Sequence, residues 1–238
     1  MADMSRRISI APNEYYHLYN RGTEKRKIFL NDNDYRRFMA MLYLCNTSAG
    51  VHIADLFPRG STSWNFERML AFERGESLID IGAYCLMPNH FHLLVKEKTE
   101  GGISRFMQKL ITGYTMYFNT LHDRSGALLQ GKYKAGHADN DQYLKCLISY
   151  IHLNPVKLIE PKWKETGIAN RKRAEKYLQE YTYSSFIDYC GTKRIENAIL
   201  KRSSLPQYFE TPKIFKQSVE EWLGYFKDSA ASTRSNLV

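Results

Sequence analysis

Two histidines stand two residues apart in the segment 84–96, which reads YCLMPNHFHLLVK. On a β-strand this spacing points His90 and His92 to one face and Phe91 to the other. Two imidazoles held on one face of a rigid strand form half of a metal site. The alternative is that both histidines are solvent-facing polar residues of a half-buried strand.

A tyrosine and an asparagine stand four residues apart in the segment 147–155, which reads LISYIHLNP. At that spacing Tyr150 and Asn154 project from the same face of a helix. A phenol oxygen can attack phosphorus and form a covalent ester, and an amide oxygen suits Mg²⁺ or Mn²⁺. The alternative is that Tyr150 packs against a sheet and Asn154 caps the helix. His152 is a rival ligand that lies off this face.

The elements that must position these residues are predicted from apolar periodicity and from turn and cap residues. The order β-α-β-β-α-β followed by a helix predicts an α+β fold, a ferredoxin-like antiparallel sheet with helices on one face. In chain order the predicted elements are strand 15–20, a helix capped at 31–33 and running to 44, a short helix 66–72, strands 80–86 and 90–96, helix 103–121, a strand-like segment 128–134 and helix 142–154.

The charge of the chain favours a polyanionic partner. Its 238 residues carry a formal net charge of +9, with a pI near 9.3, and a basic surface of this kind is typical of nucleic-acid binding. The 17 tyrosines and 12 phenylalanines suit stacking on unpaired bases, although many of them must form the core.

The four cysteines are widely separated, and no pair has C-x-x-C spacing. This pattern indicates neither a zinc knuckle nor a disulfide framework. The N-terminus lacks an apolar signal core, and no apolar run approaches the length that spans a membrane. We therefore expect a protein of the reducing cytoplasm and not of a membrane; a nucleic-acid partner of the kind that its charge favours would associate it with the bacterial nucleoid.

The paired motifs resemble those of the single-tyrosine HUH transposases, and most closely those of the REP-associated tyrosine transposases, which are relatives of the IS200/IS605 enzymes. The resemblance covers about residues 12–190. It rests on the segments 88–94 (PNHFHLL) and 150–157 (YIHLNPVK), with supporting matches at 16–22 (YHLYNRG), 130–134 (QGKYK) and 183–186 (YSSF).

This resemblance implies a role for each residue of the two motifs. His90 and His92 would be paired metal ligands for Mg²⁺ or Mn²⁺, Tyr150 the nucleophile, and Asn154 a further ligand. The last position is commonly Gln in the IS200/IS605 relatives, and Asn suits the REP-associated branch. Lys157 is a candidate for a cation that assists Tyr150, because a free phenol with a pKa of ~10 is a poor nucleophile at neutral pH.

The implied activity is metal-dependent transesterification of single-stranded DNA near hairpins, through a 5′-phosphotyrosine intermediate. Single-stranded or hairpin DNA is the expected partner, and the resemblance leaves open whether the chain acts as a monomer or a homodimer. Basic residues near the motifs are candidate phosphate contacts, each with simple solvated charge as its alternative. They are Arg21, Lys25, Arg26, Lys27, Lys132 and Lys134.

We therefore predict two parts of the chain, divided after residue 154. Residues 1–154 form the HUH transposase catalytic domain, and 48–78, rich in Gly, Ser and Thr, is an insertion longer than the resemblance leads us to expect. Residues 155–238 form a basic, mainly helical extension that carries five of the nine net positive charges. The resemblance assigns no role to residues 191–238.

Two rival functions remain at this stage. A domesticated relative that binds hairpins without cutting them would act as a regulator, and the intact set of His90, His92, Tyr150 and Asn154 disfavours it. A replication initiator or relaxase would share the chemistry. The small size, the single catalytic tyrosine and the lack of helicase motifs disfavour that second function.

Overall fold

The computed structural model describes residues 9–49, 56, 64–209 and 211–225. Four strands form one sheet: β1 (Tyr15–Arg21), β2 (Ile79–Met87), β3 (His90–Glu97) and β4 (Lys134–His137). They lie in the order β2-β3-β1-β4, and all three neighbouring pairs are antiparallel. This is the ferredoxin-like order, so the predicted α+β fold is confirmed.

The helices begin where the sequence offers a cap. Asn31 and Asn140 each accept a hydrogen bond from a backbone N–H of the following first turn, which satisfies a donor that has no partner within the helix. The helices are α1 (Asp32–Leu44), α2 (Phe66–Leu70), α3 (Gly102–Leu121), α4 (Asp141–Leu153), α5 (Trp163–Thr166), α6 (Arg171–Glu180), α7 (Phe186–Tyr189) and α8 (Pro212–Tyr225).

The sheet has a separate apolar core on each face. Alternate residues of β3 point to opposite sides: Phe91, Leu93 and Val95 join the core formed with α1 and α3. Leu94 joins the core formed with α4 and the C-terminal helices. Because the side-chain period of a strand is two, His90 and His92 lie on the α4 side with Leu94.

The strand-like segment predicted at 128–134 is wrong in its bounds. The ladder begins at Lys134, and upstream of it Leu129 makes a single bridge to Gly22. Gly131 has a φ of 65°, which bends the chain out of the extended conformation. Leu128 and Leu129 are apolar because they are buried in the core, not because they alternate along a strand.

Residues beyond α4 cover the edge of the sheet at β2. The backbone N–H of Leu86 donates to Tyr183 O at 3.0 Å, and the N–H of Ser185 donates to Tyr84 O at 3.0 Å. The Tyr189 hydroxyl donates to Gly82 O at 2.8 Å. Without these bonds the edge strand would expose unpaired backbone groups, so the C-terminal segment completes the fold.

Parts of two predictions lie outside the described residues. The insertion at 48–78 is described at 48–49, at 56 and from residue 64 onward, where α2 confirms the predicted short helix. Of the predicted extension 155–238, residues 210 and 226–238 lie outside the described residues, and Phe215 and Val219 of α8 are buried. Within the described residues, no helix is both long and apolar enough to cross a bilayer.

Candidate active site

Three histidines lie together on the face of the sheet that α4 covers. The rings of His90 and His92 are perpendicular, with centroids 5.1 Å apart. On the neighbouring strand β1, His17 stacks on His92 with a centroid distance of 5.0 Å. The Nε2 atom of His17 lies 2.8 Å from the Nδ1 atom of His92. The predicted placement of both motif histidines on one face is therefore confirmed.

Helix α4 brings Tyr150 to the same place. Its ring meets His92 edge-on at a centroid distance of 5.7 Å and meets His17 at 6.1 Å. Tyr150 is 8% exposed, so its ring packs against the sheet as the structural alternative proposed. One turn later, Asn154 Nδ2 donates to the carbonyl oxygen of Tyr150 at 2.8 Å. Asn154 therefore also ends the helix, and its Oδ1 atom is left for another partner.

The hydrogen bonds decide which imidazole nitrogens are available to a ligand. His90 Nδ1 donates to Asn89 Oδ1 at 2.6 Å, and Asn89 Nδ2 donates to Lys25 O at 3.2 Å, which fixes the amide orientation. His90 Nε2 therefore carries the lone pair. His92 Nδ1 is used by His17, and His92 Nε2 is buried with no hydrogen-bond partner among the described residues. An unpartnered buried nitrogen beside a second free imidazole nitrogen suits a metal ligand.

The donor set fits a hard divalent cation only if oxygen ligands complete it. Across the described ranges, no group of three or more His, Cys, Asp and Glu side chains is arranged to hold a metal ion. The predicted set would contribute two imidazoles and the amide oxygen of Asn154. Such a set leaves coordination positions for water or phosphate oxygens.

A lysine outside the set of predicted site residues contacts the phenol of Tyr150. Lys164 Nζ in α5 donates to the Tyr150 hydroxyl at 2.9 Å and lies 4.2 Å from the ring centroid. Lys157, the predicted assisting cation, is exposed, although its charge contributes to lowering the pKa of His90. No local pattern marks Lys164, because it is one of many lysines and lies in a short helix beyond Pro155 and Pro161.

Burial shifts the pKa of every titratable group of the site toward its neutral form. It raises the pKa of Tyr150 and lowers that of Lys164 to about 8. Burial, together with the Lys164 charge, lowers the pKa of His17 to about 3. Burial, together with the charges of His17 and His90, lowers the pKa of His92 well below its ordinary value. Burial and the Arg21 charge lower the pKa of His90 to about 4. All three imidazoles are therefore neutral at neutral pH, the form that binds a metal.

The predicted phosphate contacts border the site at two places. Arg21 is paired with His90 across the β1–β3 ladder. The loop after β1 presents exposed Lys25 and Lys27 and half-buried Arg26, which forms an ion pair with Glu24. Lys132 and Lys134 are exposed at the start of β4, the edge strand next to β1.

The chain is similar to solved structures, and the segment that carries the candidate site matches a family model. No curated protein matches the chain. One solved structure to which it is similar is a REP-associated tyrosine transposase bound to a REP hairpin, with 13% identity, a TM-score of 0.46, and 82% of this chain and 90% of that chain covered. Another is the tRNA(His) guanylyltransferase of Saccharomyces cerevisiae, with 13% identity, a TM-score of 0.35, and 87% of this chain and 84% of that chain covered.

The family match covers both motifs. The model of the family described as "Transposase IS200 like" matches residues 59–154. This range contains the histidine pair on β3 and the tyrosine and asparagine at the end of α4. The resemblance predicted from the sequence is confirmed for this segment: residues 59–154 match the model of the IS200-like transposases.

Proposed function

We propose that the protein is a metal-dependent transesterase that cleaves and rejoins single-stranded DNA near hairpins through a phosphotyrosine at Tyr150. The observation that carries the proposal is the position of Tyr150, whose ring lies 5.7 Å from that of His92 on the same face of the sheet. A nucleophile and a half-formed cation site thus meet in one place. The family match over residues 59–154 supports the same chemistry.

The residues that would hold the cation are His90 and His92 through their Nε2 atoms, and Asn154 through Oδ1. When Mg²⁺ or Mn²⁺ is bound there, it supplies positive charge for a non-bridging oxygen of the scissile phosphate. Asn89 and His17 hold the two imidazoles through their Nδ1 atoms. These bonds fix the rings before substrate binds, so no ring has to reorient during the reaction.

Tyr150 performs the covalent step. Its Oη atom attacks phosphorus as the bond between phosphorus and the 3′ oxygen breaks, which gives a 5′-phosphotyrosine and a free 3′-hydroxyl. The ester retains the free energy of the original bond, so a second 3′-hydroxyl can attack it and rejoin the strand without ATP. Cleavage and rejoining are the same reaction run in opposite directions.

The same geometry supports a site formed within one chain. His17 on β1, His92 on β3 and Tyr150 on α4 contact one another within a single copy. We infer that the tyrosine acts on phosphate bound beside the histidines of its own chain. A homodimer, if one forms, is then not needed to assemble the catalytic residues.

The DNA backbone would approach over β1 and the adjacent loops. Arg21 lies opposite His90 in the ladder, so a phosphate bound at the histidines would also lie near the Arg21 guanidinium. The exposed amines of Lys25, Lys27, Lys132 and Lys134 extend this positive surface on either side. Such contacts position a strand without reading its sequence.

The proposal is tested with single-stranded DNA carrying the hairpin repeats that flank the gene of this protein. With Mg²⁺ or Mn²⁺ present, we expect a protein–DNA adduct that survives denaturing gel electrophoresis, together with a free 3′-hydroxyl fragment. EDTA should abolish both products and leave hairpin binding intact. Tight binding without an adduct at either metal would instead identify a non-catalytic hairpin-binding protein.

A further inference from the structure

Lys164 occupies an unusual position for a lysine. The residue is half-buried and its amine lies 2.9 Å from the Tyr150 hydroxyl, whereas lysines are mostly solvent-exposed. Among the described residues, no carboxylate forms an ion pair with it. Burying an ammonium without a carboxylate costs stability, so packing alone does not account for this arrangement.

The residue before Lys164 fixes the position of the Lys164 amine. Trp163 is 1% exposed and anchors α5 in the core that includes α4. The N–H of Trp163 donates to Glu160 O at 3.1 Å, which fixes the turn that leads into α5. With Trp163 pointing inward, the next residue, Lys164, reaches the phenol of Tyr150 from the side of the C-terminal segment.

We propose that Lys164 is a catalytic residue that accepts the phenolic proton of Tyr150 during DNA cleavage and returns it during rejoining. This inference rests on the proposed function, in which Tyr150 Oη is the attacking atom. The neutral amine takes the proton as the bond between Oη and phosphorus forms and the bond to the 3′ oxygen breaks. The 3′ oxygen takes a proton from solvent, and Lys164 keeps the phenolic proton as an ammonium. When a 3′-hydroxyl later attacks the phosphotyrosine and gives its own proton to solvent, the bond between Oη and phosphorus breaks and the ammonium returns its proton to Oη.

The surroundings keep the amine available for this role. The titratable groups that face Lys164 are Tyr150 on α4, His17 on β1, and His90 and His92 on β3, and the Lys164 charge lowers the pKa of all three histidines. Burial lowers the pKa of Lys164 itself to about 8. A base whose pKa lies close to neutral pH is partly deprotonated under the conditions of the reaction, which is the range in which proton transfer is most effective.

The test measures single-turnover adduct formation between pH 6 and 10, with the hairpin DNA described above and saturating Mn²⁺. For the native protein we expect the rate to rise with pH and level off above about 8. Lys164→Met keeps the length of the side chain and removes the amine. It should slow adduct formation by ~10²-fold or more and remove the inflection near pH 8. Lys164→Arg should also be slow, because a guanidinium keeps its charge and does not accept a proton.

Two controls separate this role from a structural one. Lys162→Met removes an exposed lysine two residues away and should leave both rate and pH profile unchanged. Lys164→Ala should regain activity when methylamine or ethylamine is added, with rescue that depends on the pKa of the amine. Rescue is informative even if a variant is less stable, because it restores a proton acceptor and not a folded core.

The outcomes distinguish this inference from the proposed function. If the native protein forms an adduct that Tyr150→Phe eliminates, the proposed function stands. Lys164→Met with a native rate and pH profile would then overturn only the lysine assignment, as would a Lys164→Arg variant of native activity. If the native protein forms no adduct on Tyr150, the proposed function fails and the inference fails with it.

Discussion

The Nε2 atom of His17 lies 2.8 Å from the Nδ1 atom of His92, so a histidine on β1 holds the ring of a proposed metal ligand on β3. His17→Phe preserves a planar ring and removes both nitrogens. Because outer partners of metal ligands typically affect affinity by ~10–100-fold, we expect Mn²⁺ binding measured by calorimetry to weaken by that factor.

His17→Gln supplies the matched rescue variant. Its amide oxygen can accept a hydrogen bond from His92 Nδ1, and we expect it to recover most of the affinity. His137 on β4 is paired with Glu14 and lies away from the proposed ligands. The His137→Phe variant should therefore bind Mn²⁺ normally. Native affinity in the His17→Phe variant would show that the contact is only packing.

Removing both proposed imidazole ligands should separate catalysis from DNA binding. The double variant His90→Ala, His92→Ala leaves the basic loop after β1 intact, so hairpin affinity should stay within a few-fold of native while cleavage disappears. Fluorescence anisotropy measures the binding, and a denaturing gel measures the cleavage. Cleavage by this variant in the presence of EDTA would refute the metal assignment.

A buried histidine away from the proposed nucleophile predicts how stability depends on pH. His152 is fully buried and hydrogen-bonded to Ser185 Oγ at 2.7 Å, and burial lowers its pKa to about 3, below the ordinary value near 6.5. The unfolded chain therefore takes up a proton first as the solution is acidified. The contribution of neutral His152 to the free energy of unfolding is complete above pH ~6.5. It falls by up to ~1.4 kcal/mol per pH unit as the pH is lowered toward 3.

His152→Gln tests this contribution, because glutamine offers a hydrogen-bonding amide that does not titrate in this range. Urea unfolding at pH 7, 6, 5 and 4 should show a shallower loss of stability than in the native protein. The other buried histidines will keep a residual slope, so the difference between the two proteins is the quantity of interest. Parallel curves for the two proteins would mean that His152 is not neutral in the fold.

The exposed basic start of α6 tests whether the C-terminal extension contacts DNA. Truncation after residue 190 would remove buried Phe215, so a loss of DNA affinity would not be separable from a loss of folding. Charge variants avoid this problem. Arg171, Lys172 and Arg173 are exposed, and replacing all three with Gln should flatten the dependence of hairpin affinity on salt. On a single strand, every phosphate that the variant no longer neutralises reduces the slope of log affinity against log salt by ~0.7.

Lys176→Gln serves as the control, because it changes a lysine that is paired with Glu180 on the same helix. An unchanged slope in the triple variant would indicate that the extension has a structural role only.

The local signals in the sequence predicted the elements of the site well. The asparagines that cap α1 and α4, and Pro155 after α4, act within a single turn of helix, so they can be read without a partner. The same holds for the alternation that placed His90 and His92 on one face. The start of β4 was missed because Leu128 and Leu129 are buried in the core outside any ladder.

The contacts that complete the site could not be read from the sequence. His17 is 75 positions from His92, and its role depends on the register between β1 and β3. Lys164 reaches Tyr150 only after the chain has turned beyond α4 and buried Trp163. Such contacts between distant segments are set by packing, and a pattern in one segment does not encode them.

The most direct test of the account identifies the atom that becomes attached to DNA. Tyr150→Phe keeps the ring and its packing, removes the oxygen and leaves the half-buried Lys164 amine without the hydroxyl that it contacts, so stability should fall by ~1–3 kcal/mol while adduct formation and cleavage disappear. Tyr143→Phe, seven residues earlier on the same helix, should keep both activities. Mass spectrometry of the trapped native adduct should place the nucleotide on the peptide containing Tyr150. A nucleotide on Tyr143 or Tyr133, or an adduct in the Tyr150→Phe variant, would contradict the account.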